Sequence, residues 1–209
     1  PGPLAVAPPA SAATPGADVL TRTVMTARAD GSVGVQLVDV EYVPNGNAAA
    51  ALLRAGGEGS GSTPVGVVSF REFEAADGAV AVRVEVSLES GSLPAGEHAL
   101  QLHEGRSPST PSFNPRRSAH GAPDAVTRGR GGKLEWGRHV GDLGNVQGGA
   151  NEYASAVYDP LVTLRGRESV IGRCVCLHAN ADDFGADWLP GEALVSGVVQ
   201  NVSERRRSS

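Results

Sequence analysis

Ala79-Val80-Ala81-Val82-Arg83-Val84-Glu85-Val86-Ser87-Leu88 alternates with period two from Val80 onward. Successive side chains of an extended chain point to opposite faces, so Val80, Val82, Val84, Val86 and Leu88 share one face. The pattern predicts a β-strand buried on one side. Working outward, Val65 to Phe70, His98 to His103, Glu152 to Tyr158, Leu161 to Leu164, Arg173 to His178 and Leu194 to Val199 also read as strands, with Gly, Pro or Asn at most junctions. The 28 Gly and 14 Pro among 209 residues, with 4% aromatic residues, favour many short strands joined by turns. An all-β Greek-key sandwich or barrel is the expectation, and the sequence carries no internal repeat.

Upstream the pattern differs. Val33 to Val43 is extended in character, whereas Asn47 to Ala55 is an Ala/Leu run that predicts a two-turn helix. Gly56-Gly57-Glu58-Gly59-Ser60-Gly61-Ser62 has linker composition, which puts a domain boundary within residues 57–64. Residues 1–20, rich in Ala and Pro, read as a flexible leader without the charged start and apolar core of a secretory signal. The chain begins at Pro1 without Met, which is compatible with the removal of an upstream targeting segment. No apolar run approaches the roughly 20 residues that span a bilayer. The net charge of -5 argues against general nucleic-acid binding, and Arg205-Arg206-Arg207, within residues 203–209, reads as a solvated basic tail. The expectation is a soluble protein, cytoplasmic or organellar, that binds neither nucleic acid nor membrane. Cys174 and Cys176, two apart on one strand, point to the same face and are not placed to bridge each other.

All five histidines fall in one stretch, in short phrases: Gly96-Glu97-His98-Ala99-Leu100-Gln101-Leu102-His103-Glu104, Ser112-Phe113-Asn114-Pro115, His120-Gly121-Ala122-Pro123, Arg138-His139-Val140-Gly141-Asp142-Leu143-Gly144-Asn145 and His178-Ala179-Asn180-Ala181-Asp182-Asp183-Phe184-Gly185. A zinc site takes about four N, S or O ligands in tetrahedral array, for which His and Asp are suitable. Together, and in this order, these phrases resemble copper/zinc superoxide dismutase over residues 65–202. The resemblance implies an eight-stranded Greek-key β-barrel or sandwich, a zinc site of His120, His139 and Asp142, and copper ligands His103 and His178. It further implies that Asp182 orients zinc- and copper-side histidines and that His98 has a structural role without being a ligand.

This sequence departs from the family pattern at several positions. Gln101 stands where the first of the copper His pair belongs, and Ser112 where the family has the histidine that bridges both metals. Zinc then keeps three protein ligands and copper two of four. A basic insertion, Arg128-Gly129-Arg130-Gly131-Gly132-Lys133, separates Pro123 from Arg138 and would hang beside the site. The interval from His103 to Ser112 is too short for the family's cysteine loop, and Ser196 occupies the last-strand cysteine position. Ala193 stands where the anion-guiding arginine belongs, and the loop from Asp183 to Ala193 is short, which weakens electrostatic capture of a small anion.

One feature offsets these losses. Period two puts Cys174, Cys176 and His178 on one strand face, and a thiolate is a good Cu(I) ligand, so Cys176 is a candidate soft partner of His178, against the alternative of a small hydrophobe filling a core. Residues 21–56, with Met25-Thr26, the Val-rich strand and the Ala-rich helix, resemble a shortened heavy-metal-associated domain of the copper chaperone for superoxide dismutase, forming an αβ remnant or a disordered extension. Both cysteines of that domain's copper phrase are absent. Two functions stay open on the sequence. One is a non-catalytic zinc-binding or copper-chaperone-type protein that forms a homodimer or pairs with a true dismutase. The other is an active dismutase whose copper site is completed by Gln101, Ser112 and water.

Overall fold

The structure, a computed structural model, describes residues 16–27, 33–57, 59–128 and 134–202. The expected leader up to residue 15, most of the basic insertion and the tail from residue 203 lie outside the described residues. Two compact units are present, Pro1–Asn45 with Phe73–Ala79, and Gly46–Glu72 with Val80–Ser209. In the first, β1 (Asp18–Ala27) pairs antiparallel with the early part of β2 (Val33–Leu53), from Asp18 opposite Tyr42 to Ala27 opposite Val33.

The second unit is built from two antiparallel sheets. One places the late part of β2 beside β3 (Gly66–Ala75), β4 (Val80–Leu88) and β9 (Tyr153–Asp159), in that order. The short β12 (Gln200–Asn201) pairs with β2 through Ala50 and Ala49. The other sheet runs β11 (Ala193–Val198), β10 (Cys174–His178), β5 (Gly96–Leu102), β8 (Asp142–Gly148). These two antiparallel sheets make the all-β barrel or sandwich that the motifs imply. A separate hairpin, β6 (Val126–Arg128) with β7 (Leu134–Trp136), carries the ends of the insertion.

Apolar residues of the two inner faces meet in one core, including Val82, Val84, Val86, Leu100, Leu102, Val175 and Leu177. Burial of such aliphatic side chains contributes about 1.5–3 kcal/mol each and drives the sheets together. Period two along β4 holds from Val82 to Leu88, but Val80 at its start is 37% exposed, because only the paired part of the strand is covered. Since Leu100, Leu102, Val175 and Leu177 face inward, Gln101, Cys174, Cys176 and His178 face outward, where long loops cover them.

Three local readings are corrected. Asn47 to Ala55 does not form a helix: β2 continues through Leu53, and Arg54 bridges Ser196. The expected αβ remnant therefore has no helix among its described residues. Ala49, Ala51 and Leu53 are buried while Leu52 between them is 53% exposed, so packing selects period two over the helix propensity of alanine. Leu161 to Leu164 is not a strand. Asp159 Oδ1 accepts from the amides of Leu161 and Val162 at 2.8 and 3.0 Å, turning the chain inward so that Leu161, Val162 and Leu164 are buried as a loop. Conversely, Asp142 to Gly148 was not read as a strand, yet β8 begins directly at Asp142.

Candidate metal centre

Sheet register places the site. On the outward face of β11-β10-β5-β8, Ser196 pairs with Cys176, Cys176 with Gln101, and Gln101 with Asp142, which sets four polar side chains in one row. His103 lies just past β5 and bridges Ser112, while His178 at the end of β10 pairs with Ala193 after a register shift. Two loops, roughly residues 104–141 and 179–192, fold over this row. Gly141 is a close crossing: a Cβ there would lie 2.3 Å from Leu102 O and 2.8 Å from Ser112 Oγ, so only glycine lets the loop lie against β5.

Two clusters result. In one, His120 Nδ1 lies 3.0 Å from Asp142 Oδ2 and His139 Nδ1 lies 3.4 Å from Asp142 Oδ1. Donor atoms of His120, His139 and Asp142 all fall within 4.8 Å of one another. Ser112 Oγ stands beside them, 3.3 Å from His139 Nδ1 and 3.4 Å from Asp142 Oδ1. Asp142 is fully buried and accepts at Oδ2 from the amides of His139 and Gly121. Burial opposes its charge, but the hydrogen bond and charge of His139, with the charge of His120, hold its carboxyl below the ordinary value. Burial likewise opposes charge on His120, yet Asp182 and Asp142 overcome it and raise its pKa.

Backbone and side chains behind this cluster hold it in place. His120 Nε2 donates to Asp182 Oδ1 at 2.8 Å, leaving Nδ1 to face Asp142. Asn145 Oδ1 accepts from the amide of Asp182 at 2.7 Å, and Asn145 Nδ2 donates to its carbonyl at 2.9 Å. Asp182 reaches only the zinc-side histidine, and its Oδ2 is buried without a partner among the described residues. Arg138, 1% exposed, donates to the carbonyls of Pro123, His139 and Asp142 and to Asp159 Oδ2 at 2.6 Å.

In the other cluster His103 Nε2 lies 3.1 Å from Cys176 Sγ and 3.2 Å from His178 Nε2, and Cys176 Sγ lies 3.1 Å from His178 Nε2. Burial lowers the pKa of both histidines, that of His178 further through His103, and burial pushes the Cys176 thiol up. All three are neutral near pH 7. Gln101 does not join them: its Nε2 donates to Asp142 Oδ1 at 3.3 Å. His98 stands between two carbonyl acceptors, His178 O at 2.9 Å and Pro94 O at 3.0 Å, and ties β5 to the strand end that carries His178. Both cysteines are buried and neither is in a disulfide.

A cavity of about 600 Å³ opens over both clusters, lined by Gln101, His103, Ser112, His120, His139, His178, Trp188 and Ala193 among others. No Lys or Arg is among the described residues of its wall. Trp188 is a residue of the site wall that the motifs did not reveal. Its ring stacks on His120 (5.1 Å, 6°) and meets His178 edge-on (6.3 Å), while its Nε1 donates to Ala181 O. The signal in the sequence is slight, since the same loop also carries Phe184 and Leu189 among its small and polar residues.

The fold and these two clusters define a two-sheet antiparallel domain with, on one outer face, a pair of side-chain clusters that could each hold a metal ion. The family model for copper/zinc superoxide dismutase (SODC) matches residues 65–199, and the chain belongs to that family. A superoxide dismutase [Cu-Zn] of Drosophila miranda is 39% identical over 105 residues, covering 47% of this chain and 83% of the relative. One from Paramecium bursaria Chlorella virus 1 is 36% identical over 111 residues, 49% of this chain and 54% of that protein. An extracellular superoxide dismutase [Cu-Zn] of Caenorhabditis elegans is 29% identical over 161 residues, 70% of this chain and 66% of that protein. No helix of the described residues is long and apolar enough to cross a membrane.

Proposed function

We propose that this protein is a metal-binding member of its family that holds zinc at His120, His139 and Asp142 and does not dismute superoxide. The observation that carries the reading is Ser112. A hydroxyl faces His139 and Asp142 where the family joins its two metals through an imidazole, and a neutral hydroxyl cannot serve as that bridge.

The zinc half fits its ion. Two imidazole nitrogens and an ionised carboxylate stand at spacings near those of a tetrahedral site, and a hydroxyl or solvent can complete four. Bound there, zinc would clamp the long loop to β8. The copper half does not fit a four-imidazole centre, since Gln101 is engaged with Asp142 and two histidines remain. The cavity wall also offers no Lys or Arg among its described residues to attract or hold an anion. The proposed role is metal holding or a copper-chaperone-type scaffold, paired with a second copy or with a true dismutase.

The test is metal analysis after loading the full chain with equal zinc and copper(II), with superoxide decay measured on the same sample. Zinc at one ion per chain and negligible decay is expected. Stoichiometric copper(II) without zinc, or strong copper-dependent decay, overturns the reading.

A further inference from the structure

We infer that His103, Cys176 and His178 form a three-donor thiolate site for a soft monovalent cation, copper(I), in the place where the family pattern calls for a set of imidazoles. This rests on the reading above that the four-imidazole centre is incomplete.

The three donor atoms make a nearly equilateral triangle of 3.1, 3.1 and 3.2 Å. Each ring commits its other nitrogen to backbone, His103 Nδ1 to Thr110 O at 2.6 Å and His178 Nδ1 to Gly191 O at 3.4 Å. Those carbonyls only accept, so each Nδ1 carries the proton and each Nε2 turns a lone pair to the centre of the triangle. The thiol has one proton and can satisfy one ring. A single cation satisfies all three donors.

Size and charge choose the ion. Bonds of about 2.0–2.3 Å in a planar centre separate ligands by about 3.5–4.0 Å, so donors now 3.1–3.2 Å apart would have to part by about 0.3–0.9 Å to hold an ion between them. Thiolate is the donor that selects copper(I). On binding, the S–H bond of Cys176 breaks, an S–Cu bond forms and the proton leaves to solvent. A thiolate with a monovalent ion is neutral overall, which suits a site whose three residues are buried; a divalent ion would leave a net positive charge, with the neighbouring carboxylate of Asp142 engaged by Gln101 and the zinc-side histidines. The cluster thus retains reduced copper without joining it to the zinc half.

The experiment uses the full chain under anaerobic conditions, with copper(I) supplied as its acetonitrile complex against a colorimetric copper(I) chelator. X-ray absorption reads the neighbours of copper, and Trp188, edge-on to His178, is expected to report binding by fluorescence quenching. One copper(I) per chain with one sulfur and two nitrogen neighbours is expected. Cys176→Ser should lose on the order of 100-fold in affinity together with the sulfur neighbour, and Cys174→Ser should change neither. Because a serine can destabilise the buried strand, His103→Gln is measured as well and should lose a nitrogen neighbour while keeping sulfur. A copper(I) site without sulfur, or affinity within about threefold in Cys176→Ser, overturns the inference. The zinc reading is separable: His139→Ala should abolish zinc uptake and leave copper(I) affinity unchanged, whereas loss of both would show that the clusters are one site and refute the assignment.

Discussion

Arg138→Leu should unfold much of what holds the zinc-side cluster. Arg138 and Asp159 are 1% and 4% exposed, and their 2.6 Å contact pairs two buried charges. Removing one partner of such a pair costs about 3–5 kcal/mol, because the other charge is left buried and unpaired. The carbonyls of Pro123, His139 and Asp142 lose their donor at the same time, so the cost should not fall below the lower figure. Against a stability of about 5–15 kcal/mol this is a large fraction. Two of those carbonyls belong to His139 and Asp142, so zinc affinity should also fall by about 10–100-fold. Urea unfolding of the metal-free protein and zinc competition against a chelator measure the two effects. Adding Asp159→Asn removes the stranded charge while keeping an acceptor for the amides of Leu161 and Val162, and should recover at least about 1 kcal/mol. A single variant within about 1 kcal/mol of the parent, or a double variant no better than the single, refutes the view that this ion pair anchors the site.

Gln101→His with Ser112→His should strengthen copper(II) binding more than superoxide turnover, since Ala193 is unchanged, the described wall still has no Lys or Arg, and a missing charge can cost on the order of 100-fold in rate; an equal gain in affinity and turnover contradicts this. Gly141→Ala should destabilise the protein by about 1–3 kcal/mol, because its Cβ would lie 2.3 Å from Leu102 O, and an unchanged urea midpoint would show that the loop can move aside. Stability of the metal-free protein should peak near the ordinary histidine pKa of 6.5. His120, raised in the fold, stabilises fully below that value and loses its contribution as pH climbs through its raised pKa, while His103 and His178, lowered in the fold, let the unfolded chain take up protons first as pH falls. Unfolding midpoints across this range check it, and His120→Asn should flatten the alkaline side alone.

Much of this protein is legible in short range. Period two from Val82 to Leu88 sets a strand with one buried face, and phrases such as Arg138 to Asn145 carry enough local spacing to identify the family. Those readings depend only on neighbours in the chain. The Ala-rich run at 47–53 shows the limit: its intrinsic preference is helical, and pairing with β3 on one side and with Gln200 and Asn201, about 150 residues away, makes it a strand. The site depends on the same kind of closure. The sequence by itself names His103, Cys176 and His178 as candidates, but their separation of 73 and 75 residues from first to last says nothing about a 3.1–3.2 Å triangle. Cross-strand register set that distance by placing Cys176 beside Gln101. Trp188 over His120, the engagement of Gln101 by Asp142, and the four bonds of Arg138 were likewise decided by tertiary structure, because each joins strands or loops whose approach is dictated by sheet register and the core beneath them.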